Sequence, residues 1–148
     1  MKIRNCLAVC SAVAALAFVS GVAVADDHAY TEGPVVNVAA IRTVYGKFDE
    51  YMKYIDTTWK AEQEAGKKSG DVLSYRVITV EPRTENDPDL YLVITYKNWA
   101  VLDGATAKSD AITKQIEGSL AASSQGVVDR SKIRRVLGSW TGQELTLK

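Results

Sequence analysis

The chain has 148 residues, of which 47% are hydrophobic and 24% are charged, and its 18 basic and 18 acidic side chains leave no formal net charge at pH 7. This length suits one domain built around one hydrophobic core. The balanced charge argues against nucleic-acid binding, which needs a concentrated basic surface, and it gives no support for binding to anionic membranes.

The first residues predict export. Lys2 and Arg4 precede an apolar run that ends in Ala23-Val24-Ala25, small residues of the kind a signal peptidase accepts. We interpret residues 1–25 as a signal peptide, which places the mature chain in the periplasm or outside the cell and away from the membrane. A retained membrane anchor is the weaker alternative because a span needs about 20 strongly apolar residues. A lipid anchor on Cys10 is weaker still.

Removal of this segment leaves 16 basic and 18 acidic side chains and no cysteine, because Cys6 and Cys10 both lie within it. The mature domain must then be stabilised by core burial or association and not by disulfides. The only histidine, His28, lies in a polar lead over residues 26–34 that we expect to be flexible. Residues 35–148 form the predicted domain, for which we predict neither a cofactor nor a metal site.

The first half of this domain is predicted to contain a strand, a helix and a second strand. The β-branched segment "VVNVAAIRTVY" over residues 35–45 predicts strand one. From Lys47 to about Ala65 the apolar residues recur at helical spacing, and Gly66 with "KKSG" ends the helix. Strand two is "VLSYRVITVEP", which ends at Pro82 because proline cannot donate to the ladder.

The second half repeats this alternation. Strand three begins at Leu90, and Asn98 is expected to cap a second helix, "WAVLDGATAKSDAITKQIEGSLAA". Residues 121–138 are interpreted as a broken or short additional helix, and "SWTGQELTLK" predicts strand four. The order β-α-β-β-α-β is the ferredoxin-like arrangement, in which the helices cover one face of a four-stranded antiparallel sheet. The predicted fold class is therefore α+β.

Both faces of the predicted sheet are apolar. In strand three, Leu92 and Ile94 alternate with Tyr91 and Val93. In strand two the alternation places one apolar set on one face, Val72, Ile78 and Val80, and a second set on the other face, Leu73, Tyr75 and Val77. The helices can cover only one face, and a lone soluble domain seldom exposes a contiguous apolar patch. We therefore predict a homodimer in which two sheets pack face to face.

From Val35 to Leu147 the chain resembles the dimeric α/β-barrel superfamily, most closely its antibiotic-biosynthesis-monooxygenase-like branch. The resemblance rests on "VYGKFDEYMKYI", "GDVLSYRVITVE" and "LYLVITYKNWAVLDG", with Gly70 before strand two and Tyr96 at the end of strand three. It implies a homodimer whose sheets surround a cavity. Members with monooxygenase or haem-related roles often carry a histidine early in helix two, which "WAVLDGATAKSD" lacks. The resemblance therefore implies the fold more than the activity.

Six residues are candidates for the wall of such a cavity. The polar candidates within apolar strands are Asn37, Arg76 and Thr95, and the aromatic ones are Tyr75, Tyr91 and Trp99. The Arg76 guanidinium can hold a carboxylate through two parallel hydrogen bonds, and tyrosine hydroxyls can orient a phenol. The plain structural alternative is that these side chains only pack or lie on a rim. The acidic pair Glu62 and Glu64 is interpreted as part of a solvated helix face.

The preferred function is binding of a small apolar or aromatic molecule between the sheets. The alternative is a cofactor-independent monooxygenase-like or isomerase-like enzyme that acts on a phenol or quinol. A dimer with a filled interior is the third possibility. No catalytic residue is assigned, because the chain has neither a G-x-S-x-G nucleophile elbow nor a glycine-rich phosphate loop.

Overall fold

The computed structural model of the protein describes residues 28–148, so the predicted signal peptide lies outside the described residues. The elements follow in the order β1 (Tyr30–Thr43), α1 (Phe48–Tyr54), a π-helical segment (Ile55–Trp59), α2 (Lys60–Ser69), β2 (Val72–Thr79), β3 (Leu90–Tyr96), a 3₁₀ turn (Trp99–Leu102), α3 (Ala105–Glu117), α4 (Leu120–Arg130) and β4 (Arg134–Leu147). Within residues 28–148, no helix has both the length and the apolar character needed to cross a membrane.

The four strands form one sheet in the order β2-β3-β1-β4, and every neighbouring pair is antiparallel. Val38 in the middle of β1 pairs with Val93 of β3 on one side and with Trp140 of β4 on the other. The helix-covered face holds the core, in which Ile41 and Leu90 of the sheet are 2% and 0% exposed. This architecture is the α+β, β-α-β-β-α-β arrangement that the sequence predicts.

Buried residues of the first helical layer follow one another at intervals of four: Tyr51, Ile55, Trp59 and Gln63. In a regular α-helix, steps of four residues drift around the axis by about 40° each. The wider turn of the π-helical segment between Ile55 and Trp59 offsets part of that drift. The buried side chains of α1, the π segment and α2 therefore all point towards the sheet.

A β-bulge at Leu73 places Val72, the first residue of β2, on the opposite face of the sheet from the one expected. Two residues of β2, Val72 and Ser74, are aligned with consecutive residues of β3, which leaves Leu73 as the extra residue. Val72 is 7% exposed and contacts Gly66 of α2, so it shares the helix-covered face with Tyr75. The prediction that Val72 lies on the opposite face was wrong, because a bulge interrupts the strict alternation on which it depended.

Strands β1 and β4 are longer than the sequence pattern predicts. β1 already begins at Tyr30, where it pairs with Leu147 of β4, so residues 30–34 are strand and not a flexible lead. His28 stacks on the Tyr30 ring, with ring centroids 5.3 Å apart. β4 begins at Arg134, five residues before the predicted Ser139, because pairing with β1 continues beyond the apolar alternation.

The second helical region also differs from its prediction. Asn98 is extended and its side chain forms no capping hydrogen bond, so the expected cap at Asn98 was wrong. The 3₁₀ turn follows instead, and α3 begins only after Gly104, whose φ of 66° favours glycine. The short additional helix predicted within residues 121–138 is α4, which begins at Leu120 and which Ser119 caps by accepting a hydrogen bond from the Ala122 N–H.

Candidate functional site

The sheet face that points away from the helices remains uncovered in one copy of the chain, and we call it the open face. Strand register places on it Val36, Val38, Ala40, Arg76, Ile78, Tyr91, Val93, Thr95 and Trp140. The central Val38 and Val93 are 8% and 5% exposed because neighbouring side chains shield them. At the margins, Ile78 and Trp140 remain 42% and 59% exposed. The open face is thus an apolar surface with a few polar groups.

The structure divides the six predicted site residues between the two sides of the sheet. Arg76, Tyr91 and Thr95 lie on the open face, where Tyr91 pairs with Ile78, and Thr95 with Ser74, across β2 and β3. The other three, Asn37, Tyr75 and Trp99, lie on the helix-covered side. The six residues therefore do not form one group.

Tyr75 belongs to the helix-covered core. Its ring meets the ring of Trp59 edge to face at 5.4 Å, and its hydroxyl donates a hydrogen bond of 2.6 Å to the Glu64 carboxylate. This bond holds the pKa of Glu64 below its ordinary value and raises the pKa of Tyr75. The contact joins α2 to β2, which is a structural role.

Asn37 and Trp99 are engaged in polar contacts to β4. The Asn37 amide donates to the Thr141 hydroxyl at 2.8 Å, and the Trp99 indole N–H donates to the Gln143 side-chain oxygen at 3.0 Å. Both contacts fix the edge strand of the sheet. Trp99 also stays 47% exposed, so one side of its ring remains accessible.

A cleft of about 210 Å³ opens on the helix-covered side, between α2, α3 and the adjoining ends of β2 and β3. Its apolar wall includes Val72, Ile94, Val101, Leu102 and Ile112. Its polar groups include Glu62, Gln63, Asp71, Tyr96 and Lys108. An apolar pocket with a few convergent polar groups is the usual form of a small-molecule site.

The polar groups of the cleft differ in their environment. Burial raises the pKa of the Tyr96 hydroxyl. Lys108 lies at the rim, where its ammonium approaches Asp71 to 3.3 Å and donates to the Val101 carbonyl at 3.0 Å. Gln63 is 8% exposed, so its amide is a buried polar group beside the cavity. These groups can bind a polar substituent of a ligand whose body is apolar.

Glu62 is a half-buried carboxyl that lines the cleft. Burial raises the pKa of its carboxyl, the negative charge of Glu117 raises it further, and Arg130 opposes both. The Arg130 guanidinium lies 4.1 Å from the centroid of the Tyr54 ring, a cation–π contact. Burial raises the pKa of Tyr54 to about 12, with Glu62 as the next cause. Glu62 is therefore a carboxyl that holds its proton more tightly than an exposed one.

No protein-family model matches the chain, and no curated protein matches it significantly. Several solved structures match its architecture, among them the following two. One, a dimeric ferredoxin-like protein from an uncultured marine organism, has 12% sequence identity and a TM-score of 0.51, covering 80% of this chain and 98% of that one. The other, HapK from Hahella chejuensis, has 14% identity and a TM-score of 0.50, covering 74% of this chain and 91% of that one.

The fold is ferredoxin-like. This confirms the predicted fold class, and at such low identity the likeness extends to the fold alone.

None of the six predicted residues lines the helix-side cleft of this ferredoxin-like domain. Glu62 is half-buried there, so its assignment to a solvated helix face was wrong. Gln63 could have been found, because it continues the four-residue spacing of Trp59. Lys108 carries no such signal, since it lies on the exposed part of α3 and reaches the cleft only through the packing of α3 against α2.

Proposed function

We propose that the protein is a homodimer, formed by the open faces of two copies, that binds a small apolar or aromatic molecule between its sheets. The open face is the observation that carries this proposal: its centre is apolar, and Ile78 and Trp140 at its margins are 42% and 59% exposed. Burial of apolar surface contributes about 25 cal/mol per Å², from which the entropy of association must be subtracted. The structural neighbour described as a dimer supports the same assembly.

The polar residues of the open face indicate what such a cavity would bind. Arg76 is exposed, and Tyr91 and Thr95 lie beside it on β3. In a face-to-face dimer these groups from both copies would border one space. Tyrosine and threonine hydroxyls suit a phenolic or quinone-like ligand, and the Arg76 guanidinium suits an acidic substituent.

Light scattering coupled to size-exclusion chromatography tests the dimer. We expect the wild-type chain to elute as a dimer, and Trp140→Glu and Ile78→Lys to elute as folded monomers, because each buries a charge against the partner. Val127→Lys is the matched control, since Val127 is 50% exposed on α4, away from the open face. A wild-type protein that remains monomeric at micromolar concentration would overturn the proposal.

Binding of 2-naphthol, a neutral aromatic probe, then locates the ligand. A site between the sheets needs both copies, so the monomeric Trp140→Glu variant should lose binding, and Tyr91→Ala should weaken it in the dimer. Retention of full affinity in the monomer would place the ligand elsewhere and contradict an inter-sheet site.

A second candidate function is a cofactor-independent isomerase-like or monooxygenase-like enzyme that uses the helix-side cleft. Glu62 favours it, because a partly buried carboxyl with a raised pKa beside an apolar cavity is suited to proton transfer. Incubation with a panel of phenols and quinols, with and without oxygen, tests this function. Turnover should disappear in Glu62→Gln and persist in Glu50→Gln, an exposed acid of α1.

Membership of the antibiotic-biosynthesis-monooxygenase-like branch also belongs to the proposal. It is supported by Gly70, which caps α2 with a φ of 79° two residues before β2 begins, and by Tyr96, which ends β3 and borders the cleft. Export after cleavage behind Ala25 is proposed from the sequence alone. Intact mass measurement of protein from the periplasm or medium would test it, with Asp26 expected as the first residue.

A further inference from the structure

Two arginines face each other at the end of the sheet that adjoins α1. Arg42 of β1 and Arg135 of β4 are partners in the strand register. Like charges directly opposite each other on neighbouring strands repel, so such a pair is usually avoided or neutralised. Within residues 28–148, the Arg42 side chain makes no hydrogen bond or ion pair, and Arg135 donates only to the Glu85 backbone carbonyl, at 3.2 Å.

The two acids that border the groove, Glu85 and Asp89, form no ion pair with these arginines. Asp89 borders the same groove, but its two carboxylate oxygens accept the Thr43 N–H at 3.0 and 3.1 Å, and one also accepts the Thr43 hydroxyl. In the part of the chain that the structure describes, neither arginine has a carboxylate within ion-pair distance. Two guanidinium groups are therefore available to a negative charge from outside.

These arginines border a groove of about 540 Å³ with an apolar side. Val44, Tyr45, Phe48 and Pro82 contribute that side. The Tyr45 ring is fully exposed, although it sits in a tight turn closed by the hydrogen bond from the Lys47 N–H to the Val44 carbonyl. A fully exposed aromatic ring beside guanidinium groups that have no carboxylate partner is an arrangement suited to a flat molecule with an acidic substituent.

We propose that this groove binds a small aromatic molecule that carries a carboxylate or phosphate group. The oxyanion lies between the guanidinium groups of Arg42 and Arg135, whose planar forks match the oxygens of either anion, and the ring of the ligand lies against Tyr45. The inference goes beyond the proposed function, because the groove lies at the end of the open face, where Arg42 follows Ala40 and pairs with Arg135, and not at its centre around Val38 and Val93.

Calorimetric titration with benzoate and with phenyl phosphate, in low-salt buffer free of other oxyanions, tests the site. We expect Arg42→Ala and Arg135→Ala each to weaken binding about tenfold or more, since each removes a charge-assisted hydrogen bond. Arg83→Ala is the matched control, because Arg83 lies in the neighbouring hairpin but does not border the groove, and it should bind as the wild type does. Tyr45→Ala should weaken the binding of both aromatic probes.

The two probes show whether the groove prefers a carboxylate or a phosphate, because the probe with the lower Kd carries the preferred anionic group. Both arginine variants should fold, since each removes a repulsive contact, and circular dichroism with thermal unfolding checks this. Equal affinities of both variants and the wild type for the anionic probes, or no binding of either probe by the wild type, would overturn the proposal.

Discussion

Asp89, the residue before β3, accepts hydrogen bonds from both the backbone N–H and the hydroxyl of Thr43, the last residue of β1. Its own backbone N–H donates to the Ile41 carbonyl, and its carbonyl accepts from the Val80 N–H, both at 3.0 Å. Thr43 is only 8% exposed, so these bonds are partly shielded from water. One residue thus joins the ends of three strands beside the groove that Arg42 and Arg135 border.

Replacing this carboxylate should destabilise the domain measurably. Asp89→Ala leaves the Thr43 N–H and hydroxyl without partners, so we expect a loss of about 2–3 kcal/mol in the free energy of unfolding. Thr43→Val removes only the hydroxyl and should cost about 1–2 kcal/mol. Urea unfolding provides the measurement, and Asp103→Ala is the control because Asp103 is exposed in a loop. Equal stability of Asp89→Ala and the control would contradict a structural role for this carboxylate.

Gly66 should not tolerate alanine, although it lies within a helix. A Cβ atom there would stand 2.7 Å from a methyl group of Val72, a branched side chain held in the core. Alanine gains about 1 kcal/mol of helix propensity over glycine, but overpacking a core typically costs about 1–3 kcal/mol. We expect a net loss of stability in Gly66→Ala, measured by thermal or urea unfolding.

Gly126 in α4 is the matched control. There the added Cβ would meet the end of the Arg130 side chain at 2.8 Å, and a flexible guanidinium can move aside. Gly126→Ala should therefore be neutral or stabilising. In a double-mutant cycle, Val72→Ala should cost less in the Gly66→Ala background than in the wild type, and strict additivity would rule out the proposed clash.

The raised pKa of Glu62 predicts how the stability of the protein depends on pH. Because its pKa is raised in the folded state, the native protein holds this proton more tightly than the unfolded chain does. The resulting stabilisation is full below the ordinary carboxyl pKa of 4.5 and is lost as the pH rises through the raised value. Glu62→Gln should therefore gain stability relative to the wild type at pH 7, and the gain should shrink towards pH 4.

Glu64 provides the opposite case on the same helix. The hydrogen bond from Tyr75 lowers its folded-state pKa, so its contribution to stability is present above the ordinary pKa of 4.5 and lost as the pH falls through the lowered value. Glu64→Gln should lose stability at pH 7 and approach the wild type in acid. Urea unfolding at several pH values would separate the two variants, and parallel curves for both would refute the assignment.

Trp59 should be among the most sensitive positions of the helical layer. It is 7% exposed and holds the Tyr75 ring edge to face. Trp59→Ala removes a large buried ring and should cost about 3–5 kcal/mol, whereas Trp59→Phe keeps an aromatic contact and should cost less. Trp99→Ala is the control, since Trp99 is 47% exposed. A similar loss in Trp59→Ala and Trp99→Ala would contradict a core role specific to Trp59.

The sequence predicts the architecture because its signals are local. Alternation identifies the strands, and the helical period of Tyr51, Ile55 and Trp59 identifies the first helical layer. The bulge at Leu73 and the early start of β4 depend on pairing between distant segments, which leaves no periodic signal in either segment alone. The order of the helices and strands could therefore be predicted from the sequence, whereas the register between the strands could not.

The site was harder to predict for the same reason. Polar residues within strands, such as Arg76 and Asn37, stand out in the sequence, but only the sheet shows that they lie on opposite faces. Lys108 and Glu62 come together only because α2 packs beside α3, a contact with no trace in local spacing. Likewise, the pairing of Arg42 with Arg135 joins residues 93 positions apart in the chain.

The π-helical turn at Ile55–Trp59 has a consequence for how this protein can change by insertion or deletion. A π-helical turn holds about one residue more than an α-helical turn, so loss of a single residue within it would restore ordinary winding and leave the downstream helix in nearly the same rotation. Gln63 and Gly66 would then still face the cavity they border, and Tyr51 upstream would keep its place. A one-residue deletion should therefore be tolerated within this turn, whereas the same deletion at the start of α2 would rotate the residues after it by about 100°.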